Sequence, residues 1–134
     1  MQAEVKWIGE EMFAGISESG HTIVLDANSG TLAPSPLENV LLSLGSCSSV
    51  DVVSILKKAR QNITGCKVQL SATRVDTTPK LFSDIHLHFI ISGRDVQEKH
   101  VERAVSLSAD KYCSVALMLN KSVSITHDFS IISD

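Results

Sequence analysis

The sequence predicts an α+β chain in the order β-β-β-α-β-β-α-β, built around one long helix. Three observations carry that reading. From Ser35 to Arg60, apolar residues occupy almost every direction of a helical wheel. Period-two alternation precedes this stretch in three short pieces and follows it in two longer ones. A second amphipathic segment then separates those strands from a last alternating run. At 134 residues the chain is read as a single domain over 1–134, large enough for a core without covalent staples.

Ala3, Val5 and Trp7 alternate with Glu4 and Lys6, and Gly9-Glu10 marks a turn. Met12 to Ile16 and His21 to Leu25 continue as strands around a turn at Ser19-Gly20. Asp26 to Pro34, with Asn28, Ser29 and Gly30, is read as a loop that delivers the chain to the helix. Ser35, Pro36 and Glu38 are a helix start: an N-cap, a proline at the first helical position and a capping-box carboxylate. Lys57, Lys58 and Arg60 close it where the helix dipole favours cations. A helix apolar all round must be buried, and one small sheet cannot cover it, so a second subunit is expected to cover the rest.

Gln61 to Gly65 reads as a connector, and Cys66 to Val75 as a strand with Cys66, Val68, Leu70 and Ala72 on one face. Asp76 to Pro79 is a turn. Leu81 to Ser92 puts Ile85, Leu87, Phe89 and Ile91 on one side and His86, His88 and Ile90 on the other. Asp95 and Glu98 form a second capping-box pattern before a helix carrying Val101, Ala104, Val105 and Leu107. Tyr112 to Leu119 reads as a short buried helix. A final strand presents Val123, Ile125, His127, Phe129 and Ile131 on one face.

The totals exclude several classes. A net charge of -3, with Arg60, Arg74, Arg94 and Arg103 forming no stripe, argues against nucleic acid. The helix from Pro36 has the length of a membrane span. Glu38, Asp51 and five serines interrupt it, so no membrane role is read from it. The opening residues around Trp7 are polar and charged, without a secretory signal, and a cytoplasmic location is expected. Gly30 and Gly45 are isolated, so no phosphate-binding loop and no cofactor is expected. Three cysteines in such a chain point to redox chemistry or buried thiols rather than a disulfide framework.

Cys47 sits inside the long helix among Gly45, Ser46, Ser48 and Ser49, and Cys113 sits in the later apolar segment. One could be an attacking thiolate and the other a resolving thiol. Free cysteines also pack as small hydrophobes, which is their commoner role when buried. Cys66 heads an apolar strand face and reads as structural. His86 and His88 have the spacing that can begin a metal site, but no further ligand cluster joins them in sequence. Exposed polar histidines are the simpler reading, and no metal is expected. His127 falls on an apolar face and reads as a core histidine.

Three features of wording change the weight of Cys47 and Cys113. The stretch A-P-S-P-L-E, the run S-C-S-S-V-D-V-V-S-I-L around Cys47, and K-Y-C-S-V-A-L-M-L around Cys113 resemble the two cysteine signatures of the OsmC/Ohr family, especially its YhfA-like branch. The likeness runs over the whole chain. It implies an intertwined homodimer in which central helices are wrapped by sheets from both chains. It also implies thiol peroxidase chemistry on organic hydroperoxides at the interface. By resemblance Cys47 matches the peroxidatic cysteine and Cys113 the resolving one, with a lipoyl-type dithiol as reductant.

Two departures from the family pattern stand out. Active members present an arginine to the peroxidatic thiol from the N-terminal strands, whereas the first arginine here is Arg60. They carry a glutamate at the position of Leu37, whereas here the carboxylate is on Glu38, about 100° further round the helix. Asp51, one turn beyond Cys47, would oppose a thiolate if it faced it. A substitute cation would have to come from Lys6, Arg74, a histidine or the other subunit. Two functions follow: a thiol peroxidase with Cys47 and Cys113 catalytic and Glu38 and Asp51 as supporting candidates, or an OsmC-like dimer that binds a small apolar ligand without turnover.

Overall fold

The structure, a computed structural model, describes residues 1–28 and 30–134; the predicted loop residue Ser29 lies outside the described residues. The elements follow the predicted order: strands β1 (Ala3–Gly9), β2 (Met12–Ser17) and β3 (Thr22–Asp26), helix α1 (Pro36–Lys58), strands β4 (Asn62–Arg74) and β5 (Phe82–Arg94), helix α2 (Glu98–Leu107), helix α3 (Ser114–Leu119) and strand β6 (Ser124–Ser133). A π-helical turn, Ser108–Tyr112, joins α2 to α3. The chain divides into two compact units, Met1–Leu42 and Ser43–Asp134.

In the first unit β1, β2 and β3 form an antiparallel meander with Val5 opposite Gly15 and Ala14 opposite Val24. Glu10 takes a left-handed conformation (φ 48°) at the first turn, where its carbonyl accepts the Trp7 indole N–H at 2.7 Å. After β3 the buried Asp26 carboxylate holds the loop by accepting the backbone N–H groups of Asn28 and Leu32, each at 2.8 Å. The capping box at the start of α1 forms as predicted. Ser35 Oγ accepts Glu38 N–H at 3.2 Å, and Glu38 Oε1 accepts Ser35 N–H at 2.9 Å. Gly30 (φ +72°) lies so close to this carboxylate that a Cβ there would collide with Glu38 Oε1. Trp7 and Val5, each 66% exposed, leave this small sheet with apolar surface uncovered by its own unit.

The second unit carries the core. β5 is central, antiparallel to β4 and parallel to β6. A parallel neighbour requires a crossover, which α2, the π-helical turn and α3 provide. Ile85, Leu87, Phe89 and Ile91 of β5 are buried with Val101, Ala104 and Val105 of α2 and with Leu44, Val52 and Leu56 of α1. Of α1, the buried stripe is Leu44, Gly45, Ser48, Val52 and Leu56, the four-residue spacing of one helix face. Leu42 and Val50, 57% and 67% exposed, leave apolar directions of this helix bare within the chain. By length and composition α1 could cross a membrane, with a mean hydropathy of 1.5 over its best window. Its buried stripe and the bonding of Ser48 and Asp51 to other elements are features of a helix in a protein core.

Two local expectations need correction. The Asp95–Glu98 capping box does not form: Asp95 is left-handed (φ 51°), and α2 starts at Glu98 with Gln97 as an N-cap that makes no side-chain bond. The Gln61 side chain instead accepts Gln97 N–H at 2.9 Å. The supposed connector Gln61–Gly65 is mostly strand, because Asn62 and Ile63 pair with Arg94 and Gly93 across a register shift before Gly65. A bulge of this kind breaks the alternation by which a strand is read from sequence.

The outer face of β5 and β6 holds a network that the sequence did not connect. Asp128, opposite His88 in register, accepts from His86 Nε2 at 2.8 Å and His88 Nδ1 at 2.7 Å through the same oxygen. The remaining imidazole nitrogens meet Thr126 Oγ1 at 2.6 Å and Ser130 Oγ at 3.3 Å. The bonds from His88 and His86 hold the exposed Asp128 carboxyl below its usual 3.8.

At Gly45 helix α1 approaches β4 closely, since a Cβ there would lie 2.8 Å from Leu70 Cδ1 and 3.3 Å from Val68 Cγ1. Gly45→Val should destabilise the protein by roughly 1–3 kcal/mol in urea unfolding. Gly45→Ala should be nearly neutral, since better helix propensity of about 1 kcal/mol offsets the contact with the flexible Leu70 side chain. A carboxyl group with a depressed folded value stabilises above its unfolded value and loses that contribution as pH falls through the folded one. The Asp128 carbon resonance should therefore titrate below 3.8 and move back toward it in His88→Gln. Stability differences between wild type and Asp128→Asn should change only in that acid window.

Candidate active site: a pair of thiols across helix α1

Three pieces of chain meet at Cys113. The π-helical turn ends with Cys113 N–H donating to Ser108 C=O at 2.8 Å, a wide i to i+5 closure. The turn brings Cys113 to the N-cap of α3 (φ -75°, ψ 105°), fully buried, with its sulfur accepting Ala116 N–H at 3.4 Å. From α1 the Ser48 hydroxyl donates to the same sulfur at 3.3 Å. Cys47, the residue before Ser48 on α1, is partly buried and near enough to Cys113 to bear on its protonation. The structure thus brings together the two cysteines that the sequence picked out, 66 positions apart. No disulfide joins them.

Burial pushes the Cys113 thiol up, and the neighbouring Cys47 pushes it the same way. The bonds from Ser48 and Ala116 pull it down without reversing the shift. At neutral pH Cys113 therefore keeps its proton. Cys66 is also raised by burial, opposed by a bond from Ser49. Ser49 lies about 200° round the helix from Cys47.

Ser108 and Ser48 were missed in the sequence reading. Ser108 Oγ lies 3.3 Å from Ser48 C=O and 3.1 Å from Asp51 Oδ2, so Asp51 is bonded to the start of the π-helical turn. Ser48 and Ser108 are both buried, 3% and 1% exposed. A signal was available for Ser48: it falls at the four-residue spacing Leu44, Ser48, Val52, Leu56, a hydroxyl on an apolar stripe. Ser108 gave no comparable signal, because a π-helical turn has no pattern of its own.

The other candidates lie elsewhere. Glu38 serves the capping box of α1. Arg74 Nε donates to Lys80 C=O at 2.8 Å near the end of β4, and Lys6 is on β1. His86 and His88 belong to the Asp128 network, and His127 is half-buried on β6. Beyond Asp51 a cleft of about 470 Å³ is lined by Ile55, Lys58, Arg103, Leu107 and Tyr112 among others.

The chain is similar to known proteins over its whole length. The family profile described as OsmC-like protein matches residues 28–128. Protein YhfA of Escherichia coli K12 is 54% identical over 133 residues, 99% of each chain. A hypothetical protein from Aquifex aeolicus superposes with a TM-score of 0.90 at 32% identity, covering 99% of this chain and 96% of its own. The organic hydroperoxide resistance protein OhrB of Bacillus subtilis shares the fold, with a TM-score of 0.64, at 14% identity over 97% of this chain and 98% of its own. With a profile covering most of its length and relatives above 30% identity end to end, this chain belongs to the OsmC-like protein family.

Proposed function

We propose that the protein is a thiol-dependent peroxidase acting on organic hydroperoxides. The observation that carries this reading is the bond from Ser48 to Cys113, which sets Cys113 beside the residue next to Cys47, with both cysteines free. Membership of the OsmC-like family and the shared fold of proteins described as organic hydroperoxide resistance proteins support a peroxide-resistance role. In this reading the Cys47 thiolate attacks the distal oxygen of the hydroperoxide. The O–O bond breaks, the alcohol leaves, and Cys47 becomes a sulfenic acid. Cys113 then attacks the Cys47 sulfur, forming the disulfide and releasing water. A lipoyl-type dithiol returns the pair to thiols, two electrons per cycle.

The working form is proposed to be a cytoplasmic homodimer. The bare apolar residues of α1, Leu42 and Val50, and of β1, Val5 and Trp7, support it. The protein is expected to scatter light as twice its 14.5 kDa chain at micromolar concentration. A stable folded monomer would contradict the dimer.

Binding of a small apolar ligand without turnover is favoured by one observation. The cleft past Asp51 is lined in part by Ile55 and Leu107, and neither Cys47 nor Cys113 is among its lining residues. Steady-state consumption of alkyl hydroperoxide and of hydrogen peroxide with a dithiol reductant separates the two. The peroxidase should consume the alkyl form faster, lose turnover in Cys47→Ser, and accumulate sulfenic acid in Cys113→Ser. Consumption no greater than that of Cys47→Ser would leave ligand binding as the function.

A further inference from the structure

The cleft beyond Asp51 brings cations and apolar surface together within the second unit. Its volume of about 470 Å³ falls in the range of roughly 300–1,000 Å³ usual for small-molecule sites. Ile55 of α1 and Leu107 of α2, both half-buried, supply apolar wall, and the Tyr112 ring joins them. Lys58 from the last turn of α1 and Arg103 from the body of α2 bring positive charge to the same cleft. Among the described residues the ion pairs are those of Asp128 with His86 and His88. Neither the Lys58 nor the Arg103 side chain has an ion-pair or hydrogen-bond partner there. The one carboxylate among the lining residues, Asp51, is bonded to Ser108. Two unpaired cations against one engaged carboxylate leave the cleft net positive.

We propose that this cleft binds an organic monocarboxylate with an apolar body, its carboxylate held by Arg103 and Lys58 and its chain laid against Ile55 and Leu107. A guanidinium meets a carboxylate with two parallel N–H···O bonds, so a planar anion suits Arg103. The carboxyl end of α1 is the negative pole of the helix dipole, and Lys58 offsets it. Arg103 is therefore the principal contact. The apolar wall gains by leaving water when a chain covers it, which an inorganic anion would not achieve.

The site is distinct from the surface proposed to meet a second copy. Asp51 and Ile55 lie roughly 100° and 140° round α1 from the exposed Val50, at about 100° per residue. It also stands apart from the peroxidase reading, since neither Cys47 nor Cys113 lines it.

Titration calorimetry of the full-length, reduced protein with octanoate, octan-1-ol and octylamine tests this without any peroxide. Octanoate should bind saturably at one site per chain and more tightly than octan-1-ol, with octylamine the weakest. Arg103→Gln should weaken octanoate on the order of 5-fold and Lys58→Gln about 2-fold, the range for exposed charge pairs. Octan-1-ol should bind both variants as it binds wild type. Lys58 and Arg103 are exposed, so neither substitution disturbs the core. Salt at about 1 M, where the Debye length is about 3 Å, should remove the preference for octanoate over octan-1-ol. Equal binding of octanoate and octan-1-ol at low salt, or octanoate affinity unchanged in both variants, would overturn the proposal. Octyl phosphate binding more tightly than octanoate would overturn the carboxylate assignment. A protein that consumes no hydroperoxide but binds octanoate through Arg103 would lose the peroxidase reading and keep this site.

Discussion

A buried hydroxyl that must find a partner is the constraint on which this site depends. Ser48 lies on the face of α1 that enters the core, where an unpaired hydroxyl would cost about 1–3 kcal/mol. It bonds to Cys113, while Ser108 reaches back to the Ser48 carbonyl and to Asp51. These three contacts fix α1, the π-helical turn and the start of α3 in one register. Among the described residues no buried side-chain nitrogen or oxygen lacks a partner. The polar groups around the thiols are thus a closed set, and Cys47 stands beside it.

Much of the fold was legible because its signals are local. Proline and the capping box locate the start of α1, and clean alternation on β5 separates the buried Ile85, Leu87, Phe89 and Ile91 from His86 and His88. The failures have equally local causes. A bulge hides the first residues of β4, and a left-handed Asp95 prevents a capping pattern that its residue types permit. The long helix read as apolar all round, and its bare directions within one chain are the residue of that pattern.

The site was legible only in part. Cys47 and Cys113 stood out as a pair and resemblance gave them their weight, and the structure bonds Cys113 to Ser48, the residue next to Cys47. What joins them was invisible, because a partnership between Ser48 and Cys113 spans 65 residues and no short pattern records it. The link between Asp128 and His86 and His88 was hidden for the same reason: parallel β5 and β6 set that register through a long crossover. Asp51, read as a possible opponent of the thiolate, bonds to Ser108, which only the placement of the π-helical turn beside α1 reveals.

The crossover has a consequence for how the dithiol comes into being. Cys47 lies early in the chain, and Cys113 lies in the connection that must wrap back before β6 can pair beside β5. During synthesis the first thiol emerges well ahead of its partner, and closing a loop of this length costs entropy that only later sheet pairing recovers. The meeting of the two segments belongs with the long-range pairing of the second unit, the kind of contact that costs most loop entropy to form. Both cysteines lie in the second unit, and the loop between them encloses β4, β5 and α2, so their proximity depends on that whole stretch being folded.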